Sequence, residues 1–391
     1  MSEWERVCLD KLGFVSRGRS KHRPRNAPEL YGGKYPFVQT SDIKNSELYL
    51  TKYEQTYNDK GLAQSKLWPK GTLCITIAAN IADTAILGID ACFPDSVIGF
   101  LPDENKCDVR YIKYFFDCGF QAALKNFSQG AAQDNLSQEK LLSVPLHIPP
   151  LATQRRIASI LSNYDSAIAN CRRQIALLEE AAMRLYKEWF KDGKGEKKRL
   201  WDVCDYFRGV SYSSEQIATP TGVPLITLKN IERFGGFHED RSKFFSGSCK
   251  QDSLASGGDV LMAVTDMTKE RRLVGHVALV PDTYETAPYS MDLIKLKGKD
   301  VQGLFLYALL RYTNYSEQFA VRASGANVLH LKPSSLDDIS ILVPPSKLQE
   351  SFLSVFQPMV KQKNCLSRQI RALTEARDRL LPKLMKGESA V

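Results

Sequence analysis

The sequence predicts an α+β protein built from two copies of one unit, each a mixed α/β, strand-rich globule followed by a long helix. Three observations support this class. The chain has 391 residues, which is enough for two or three domains rather than one. Its second half repeats its first, and a run of heptad-spaced apolar residues follows a Pro-Pro pair in each half. We expect two long helices that form an antiparallel coiled coil to separate the globules, giving an internal pseudo-two-fold repeat.

Composition excludes several other classes of protein. Apolar residues make up 43% and charged residues 25% of the chain, values that are ordinary for a globular protein and not for a disordered or collagen-like one. The longest apolar stretch, Leu304 to Leu310, is far shorter than the roughly 20 residues that span a bilayer. The first residues, MSEWERVCLD, are charged and do not resemble a signal sequence. The sequence therefore predicts a cytoplasmic protein that does not contact a membrane.

The internal repeat is clearest at the end of each half, where one constant offset aligns the two copies without a gap. The matched segments are Pro149-Pro150 with Pro344-Pro345, Gln154 with Gln349, Arg173-Gln174-Ile175 with Arg368-Gln369-Ile370, and Arg184-Leu185 with Arg379-Leu380. Further upstream the offset is shorter, and Leu9 and Arg17-Gly18 match Leu200 and Arg208-Gly209. We therefore divide the chain into the first globule, the first helix with a linker, the second globule and the second helix. Their predicted bounds are 1–150, 151–199, 200–345 and 346–391, with the Gly-rich, charged linker at 191–199.

The helical segments carry apolar residues at alternating spacings of four and three, which is typical of helices that supercoil against a partner. The predicted seam residues are Ile168, Ile175, Leu178 and Leu185 in the first helix, and Leu366, Ile370, Leu373 and Leu380 in the second. Lys363 and Arg377 interrupt the second seam. Pro358 predicts that a short helix ends there and a longer one follows, and Leu381-Pro382 predicts another stop. In the alternative interpretation, each helix packs on its own globule. A helix over 164–190 would be about 40 Å long, a possible ruler for DNA.

A glycine-bounded segment within each globule predicts two short strands around a polar loop. Gly71 to Gly88 aligns with Gly258 to Gly275 over the same length. The loops inside them differ, because AANIADT carries Asn80 where TDMTKERR carries Lys269, Arg271 and Arg272. Equivalent loops with different chemistry suit two readers of different sequences, although an ordinary surface turn explains the pattern equally well.

These features together resemble the specificity (S) subunits of type I restriction-modification systems over nearly the full chain. The resemblance rests on the Leu...Arg-Gly segment that opens each globule, on HIPPLATQRRIASIL and LVPPSKLQESFLSVF, and on RRQIALLEEAAMRLYKEWF and SRQIRALTEARDRLLPKLMKGE. It implies that each globule is a target-recognition domain for one half of a bipartite double-stranded DNA sequence. It also implies that the helices dock methyltransferase (M) subunits, two being expected, and that restriction (R) subunits join them. S-adenosylmethionine, ATP and Mg²⁺ would then be bound by those partners, with no cofactor and no metal on this chain.

Basic residues in the two globules are the candidate DNA contacts, because cationic side chains bind phosphates and arginine can pair with a guanine edge. Residues 6 to 25 carry seven basic side chains against one acidic side chain, although the net charge of the whole chain is only +9. The alternative is a solvated basic loop without a ligand. The candidate DNA-binding residues are Arg17, Arg19, Lys21, Arg23, Arg25, Asn80, Arg208, Lys269, Arg271 and Arg272.

The sequence does not predict a catalytic site. It lacks a Gly-rich phosphate loop, an FxGxG-like methyl-donor motif, and the Asn-Pro-Pro-aromatic or Asp-Pro-Pro-aromatic tetrapeptide of methyltransferases. We therefore expect a non-catalytic recognition subunit. One alternative is a Mg²⁺-dependent nuclease that uses Asp95, Glu104 and Lys106, although Pro102 interrupts the strand that would carry the latter two. Another is a coiled-coil assembly protein that does not read DNA.

Overall fold

The computed structural model describes residues 4–78, 81–120, 136–217, 222–239, 243–268 and 270–388. The chain divides into two compact units, one comprising Met1–Asn170 and Ile370–Val391 and the other comprising Cys171–Gln369. The helices are α1 (Thr40–Lys44), α2 (Asp59–Ala63), α3 (Val109–Phe115), α4 (Gln138–Ser143), α5 (Leu151–Trp189), α6 (Leu200–Val203), α7 (Gly303–Arg311), α8 (Tyr315–Val321) and α9 (Ser346–Met385). No helix in these ranges is both long enough and apolar enough to cross a membrane.

The strands of the first unit are β1 (Glu5–Val7), β2 (Gly13–Arg17), β3 (Tyr31–Phe37), β4 (Tyr49–Leu50), β5 (Gln55–Tyr57), β6 (Leu67–Trp68), β7 (Leu73–Thr76), β8 (Thr84–Leu87), β9 (Ala91–Cys92), β10 (Val97–Pro102) and β11 (Leu146–Ile148). Those of the second unit are β12 (Glu196–Arg199), β13 (Cys204–Arg208), β14 (Val223–Leu225), β15 (Lys243–Phe245), β16 (Leu254–Ala255), β17 (Val260–Ala263), β18 (Thr265–Asp266), β19 (Val277–Leu279), β20 (Ala287–Pro288), β21 (Leu293–Gly298), β22 (Leu329–His330) and β23 (Ser340–Val343). The segment predicted as a linker, 191–199, thus includes β12.

The central sheets of the two units repeat one strand order. The first sheet runs β2-β10-β7-β8-β4 and the second runs β13-β21-β17-β19, so β2, β10, β7 and β8 correspond to β13, β21, β17 and β19. All of these corresponding pairs are antiparallel. Each unit also pairs its first strand with its last, β1 with β11 and β12 with β23. The predicted α+β repeat is confirmed.

The smaller sheets differ between the units. In the first unit, β5, β3, β9 and β6 form one four-stranded sheet, whereas the described part of the second unit has, besides β12-β23, the two-stranded sheets β14-β15, β16-β20 and β18-β22. Each unit therefore combines a repeated framework with a part that varies.

The two hairpins have the predicted position but not the predicted equal length. In the first unit β7 ends at Thr76 and β8 begins at Thr84, whereas in the second β17 ends at Ala263 and β19 begins only at Val277, with the short strand β18 between them. The strand that corresponds to β8 is therefore β19 and not the aligned residues 271–274. The physical reason is that Asp266 accepts backbone hydrogen bonds from Leu273 and Val274, which holds those residues in the loop.

Each Pro-Pro pair ends a strand, and a helix starts immediately after it. Proline has no backbone N–H to donate to a neighbouring strand, whereas the first turn of a helix does not need that donor. Strand β11 stops at Ile148 and α5 begins at Leu151; β23 stops at Val343 and α9 begins at Ser346. A glutamine repeated in both halves ties the first turn of each helix to the preceding Pro-Pro pair. The Gln154 side-chain amide donates to the Pro149 carbonyl at 2.9 Å, and that of Gln349 donates to the Pro344 carbonyl at 2.7 Å.

The predicted helix stops at Pro358 and Pro382 are wrong, since α9 is continuous from Ser346 to Met385. A proline inside a helix costs about 3 kcal/mol because one donor is lost and its ring crowds the previous turn. Phe352 and Phe356, in the turns before Pro358, are fully buried in the core of the second unit. Burying each such side chain contributes about 1.5–3 kcal/mol, which offsets the cost. The first helix, Leu151–Trp189, starts at the first residue of the predicted segment 151–199.

Within each unit the two helical segments run antiparallel. In the first unit Asp165 pairs with Arg377. In the second, Cys171 lies 3.7 Å from the Gln369 side chain, and Glu179 forms an ion pair with Lys363. The residues that interrupt the predicted seam, Lys363 and Arg377, are therefore the cations of these two ion pairs.

The helix ends are also core elements of the globules, so both predicted packing modes occur. Ile157 and Leu161 of α5 and Leu384 of α9 lie in the core of the first unit. Ala182 and Tyr186 of α5 join Phe352 of α9 in the core of the second. Of the predicted seam residues, Ile168 and Leu366 are buried, and the half-buried ones are Ile175, Leu178, Leu185, Ile370, Leu373 and Leu380.

Candidate nucleic-acid interface

The central feature of the candidate site is an arginine at the end of equivalent edge strands. Arg17 ends β2 and Arg208 ends β13, and both side chains are exposed. The residue that follows each arginine is a glycine whose N–H donates to the first residue of the neighbouring strand, Gly18 to the Val97 carbonyl of β10 and Gly209 to the Leu293 carbonyl of β21. The next N–H then donates to the carbonyl of Phe93 in the first unit and of Tyr289 in the second.

These glycines are required because the main chain passes too close for a side chain. A Cβ atom at Gly18 would lie 2.3 Å from the Pro94 carbonyl oxygen, and one at Gly209 would lie 2.2 Å from the Ser290 carbonyl oxygen. Close backbone approach is a standard reason for glycine. In both halves, the Arg-Gly segment therefore fixes the direction of the main chain where it leaves the sheet, directly after the arginine.

The basic loop of the first unit is exposed and firmly held. The side chains of Arg17, Arg19, Lys21, Arg23 and Arg25 are all exposed. The main chain of the loop is tied to the rest of the unit, because Ser65 Oγ donates to the Arg19 carbonyl at 2.7 Å and the Lys21 and His22 N–H groups donate to Gln64.

The five basic side chains of this loop fall into two groups. Arg25 donates to both oxygens of the Asp95 carboxylate, at 2.7 and 2.9 Å, and Arg23 lies 3.7 Å from the same group. The other three, Arg17, Arg19 and Lys21, have no ion-pair partner among the residues that the structure describes. They are free to contact an anionic ligand.

In the second unit, the loop between β17 and β19 is organised by a buried carboxylate. Asp266 is fully buried and accepts hydrogen bonds from the N–H and hydroxyl of Thr268, at 2.7 and 2.8 Å, and from the N–H of Leu273 at 2.7 Å. The loop carries Arg271, whose φ is +53°, and Arg272, both half-exposed. The predicted contacts Lys269 and Asn80 lie outside the described residues.

Replacing Asp266 by alanine should unfold this loop locally. The N–H groups of Thr268, Leu273 and Val274 would lose their acceptor in a mostly buried position, a loss of about 2 kcal/mol in the free energy of unfolding. Burial by itself raises the pKa of the Asp266 carboxyl, but its hydrogen bonds more than reverse that effect, so the pKa lies below the ordinary 3.8. A carboxyl with a depressed pKa contributes stability above its unfolded pKa and loses it as pH falls through the folded value. The difference from wild type, measured by urea denaturation, should thus be complete at pH 7 and shrink below about pH 4.

The exposed pair of Asp338 and Arg322 provides the control for this prediction. Its oxygen and nitrogen lie 2.8 Å apart, but the side chains are 65% and 45% exposed. Asp338→Asn should change the free energy of unfolding by less than about 1 kcal/mol at either pH. An Asp266→Ala variant as stable as Asp338→Asn at pH 7 would contradict the role assigned to the buried carboxylate.

An exposed aromatic residue that the sequence did not indicate lies next to this loop. The Phe234 side chain is 55% exposed and its φ is +63°, a conformation that non-glycine residues rarely adopt. Its N–H donates to the Arg272 carbonyl at 2.7 Å, and its own carbonyl accepts from the Arg311 guanidinium. The only sequence signal is the glycine pair after Phe234, which is typical of a tight turn. Phe234 therefore extends the candidate surface of the second unit.

The acidic residues of the predicted nuclease alternative do not come together. Asp95 precedes β10 and Glu104 follows it. A strand of that length spans about 20 Å, too far for two ligands of one ion. Lys106 lies 3.3 Å from Asp103. No group of three or more metal-ligating side chains occurs in the described part of the chain.

Comparison with known proteins identifies the family. The sequence pattern of the family described as "Type I restriction modification DNA specificity domain" matches residues 1–180 and 193–375. These two successive matches cover nearly the whole chain. The chain belongs to this family. It is therefore a specificity subunit of the type I restriction-modification class, in which this subunit is non-catalytic.

Two relatives and one solved structure show how far the similarity extends. The MjaIX specificity subunit of the type I restriction enzyme of Methanocaldococcus jannaschii is 25% identical, over 100% of this chain and 94% of the relative. The HindI specificity subunit of Haemophilus influenzae is 20% identical, over 99% of this chain and 100% of the relative. The crystal structure of the type I restriction-modification S subunit from M. genitalium has a TM-score of 0.60 at 15% identity, covering 98% of this chain and 96% of that chain. The fold of specificity subunits is thus shared over the full length.

Proposed function

We propose that this specificity subunit reads a bipartite sequence in double-stranded DNA, one half with each globule. The observation that carries the proposal is the pair of equivalent strand ends, where Arg17-Gly18 and Arg208-Gly209 leave their sheets along the same hydrogen-bonded path. Two arginines presented by one repeated framework suit two related reading events on the two half-sites.

The surroundings of the two arginines differ, which supports the reading of two different half-sites. Arg17 leads into a loop that carries Arg19 and Lys21, whereas the second unit presents Arg271 and Arg272 on a separate loop. Phosphate contacts from such residues position a protein on DNA, and contacts to base edges select the sequence. A repeated framework with unlike loops provides both functions.

We propose further that methyltransferase and restriction subunits assemble on this chain, with two methyltransferase subunits, one for each repeat. In that assembly S-adenosylmethionine, ATP and Mg²⁺ bind to the partner subunits, and no cofactor binds to this chain. The repeated helical segments of α5 and α9 support this part of the proposal, because each repeat offers the same sequence motif to a partner. We propose a cytoplasmic location, where chromosomal DNA is accessible.

A footprint of the complex on its methylated target tests the proposal. The full chain with its methyltransferase partner should protect two short blocks of DNA separated by an unread gap, and methylation sequencing of cells that carry both should return a sequence with the same two blocks. Raising the salt concentration should weaken binding steeply, because phosphate contacts release counterions. One continuous protected block would overturn two-part reading, and no sequence preference at all would favour an assembly protein that does not read DNA.

A further inference from the structure

We propose that Asp95 is a positioning residue for DNA recognition, because its carboxylate orients the Arg25 guanidinium for a base contact in one half-site. This inference rests on the proposed function, in which the first unit reads one half-site. It adds a specificity-determining role for an acidic residue on a surface where the ligand itself is an anion.

The geometry joins two segments that are distant in sequence. Arg25 lies near the end of the basic loop, and Asp95 lies in the turn between β9 and β10. The Arg25 Nη2 atom donates to Oδ1 of Asp95 at 2.7 Å and to Oδ2 at 2.9 Å. The turn is closed by the Val97 N–H, which donates to the Pro94 carbonyl at 3.0 Å, and the Arg25 carbonyl accepts from the Tyr31 hydroxyl at 2.9 Å. Both partners of the ion pair are therefore held by their own surroundings.

The two arginines near Asp95 have different roles. Arg23 Nη1 donates to the carbonyls of Ser20 and His22, at 2.7 and 2.8 Å, so its guanidinium is used to close the loop. Arg25 engages Asp95 through Nη2 alone, and its Nη1 and Nε atoms have no acceptor among the residues described in the structure. Nη1 and Nε lie on opposite sides of the guanidinium and do not form one two-donor edge, but Nη1 by itself can donate to the O6 or N7 atom of a guanine. Arg25 can thus stay paired with Asp95 while it contacts a base.

A stabilising role alone does not explain the ion pair. The Arg25 and Asp95 side chains are 50% and 38% exposed, and exposed pairs of this kind contribute little to stability. Holding the arginine in one conformation has a different effect, since less side-chain freedom is lost on binding. The two cations around one carboxylate also leave the cluster positive, so that it still attracts DNA.

The second unit lacks this device at the equivalent position. The turn that receives Gly18 contains Phe93, Pro94 and Asp95, and the turn that receives Gly209 contains Tyr289, Ser290 and Met291. Met291, at the position of Asp95, is 59% exposed and uncharged. Asp292, which follows it, lies 3.5 Å from the Ser290 hydroxyl and forms no ion pair with an arginine among the described residues. Within the described residues, an arginine paired with a carboxylate of this turn therefore occurs in the first unit and not in the second.

Competition binding tests the inference on the full chain with its methyltransferase partner. One probe is an unmethylated duplex that carries the sequence found to be methylated in cells. The others are duplexes in which a single base pair of either half-site is changed, one position at a time. Asp95→Asn, which preserves shape and removes the charge, should lower discrimination at one base pair of one half-site by about tenfold. Arg25→Ala should lower discrimination at the same base pair, and adding Asp95→Asn to Arg25→Ala should have no further effect, because the two residues act as one unit.

Asp282→Asn is the matched control, because Asp282 pairs with Arg368 at 2.8 Å with side chains 45% and 52% exposed. It should leave discrimination unchanged at every position. The inference alone is overturned if Arg25→Ala loses discrimination and Asp95→Asn keeps it within twofold of wild type. A wild-type complex without preference at any position overturns the proposed function and the inference with it. Equal thermal stability of Asp95→Asn and Asp282→Asn would confirm that any loss of discrimination is not caused by unfolding.

Discussion

Replacing Gly18 by alanine is expected to abolish recognition of one half of the DNA target and leave the other half readable. A Cβ atom at this position would lie 2.3 Å from the Pro94 carbonyl oxygen and 2.4 Å from that of Phe93. Since both atoms belong to the main chain, the loop and not a flexible side chain must move. The hydrogen bonds from the Gly18 and Arg19 N–H groups to Val97 and Phe93 would be broken. The expected loss is about 1–3 kcal/mol in the free energy of unfolding and more than about tenfold in affinity for one half-site.

The equivalent variant in the second unit should affect the other half-site. A Cβ atom at Gly209 would lie 2.2 Å from the Ser290 carbonyl oxygen and 2.3 Å from that of Tyr289, so Gly209→Ala displaces Arg208 in the same way. Gly303→Ala is the control, because its Cβ would meet no atom closer than the Gly258 carbonyl oxygen at 4.0 Å. A footprint of each variant, with its methyltransferase partner, should lose a different block. If either variant alone removed both blocks while circular dichroism showed an intact fold, the assignment of one globule to one half-site would be wrong.

Replacing Arg377 by leucine should destabilise the first unit more than replacing any exposed arginine of the same helix. The Arg377 guanidinium donates to the Asp165 carboxylate, which also accepts from the Tyr114 hydroxyl, and the Asp165 side chain is only 10% exposed. Burial lowers the pKa of Arg377, but the hydrogen bonds to Asp165 and Asp378 raise it above its ordinary value. Removing one partner of such a pair leaves a buried charge uncompensated. We expect a loss of about 3 kcal/mol by urea denaturation, with faster hydrogen exchange in 155–170.

Two further variants separate charge pairing from packing. Arg379 pairs with Glu375 on the same helix, but their side chains are 78% and 55% exposed, so Arg379→Leu should cost less than about 1 kcal/mol. The triple variant Tyr114→Phe, Asp165→Leu and Arg377→Met removes every member of the buried group and should recover most of the lost stability, because apolar replacement of a whole buried pair is often neutral. Equal losses for Arg377→Leu and Arg379→Leu would show that the buried pair imposes no constraint.

Features that depend on local pattern were predictable from residues alone. The heptad spacing, the Pro-Pro pairs before the helices and the matched Arg-Gly segments all recur between the halves, and recurrence needs no knowledge of packing. Even so, the stop that Pro358 predicts is wrong, because the burial of Phe352 and Phe356 that offsets its cost depends on the core of the second unit. The unequal hairpin loops were missed for a similar reason, since a sequence alignment cannot show that Asp266 holds Leu273 and Val274 in the loop.

For the candidate site, too, the sequence predicts the types of residue present but not their pairing. The basic residues of the first loop could be listed from the sequence, but their division into Arg23, which closes the loop, Arg25, which is guided, and the free Arg17, Arg19 and Lys21 could not. The sequence presents Asp95 only as a possible metal ligand, because a carboxylate and an arginine that are distant in sequence give no sign of pairing until the chain folds. The role of Phe234 cannot be predicted from the sequence, since exposure and positive φ are properties of the folded turn.

By itself, then, the sequence determined the family, the repeat and the type of residue at each strand end, because these follow from patterns that survive between copies. Only the tertiary structure decided which of those residues are free and which are held. Pairing between distant segments is set by the distances and burial that folding creates, and not by the order of residues along the chain.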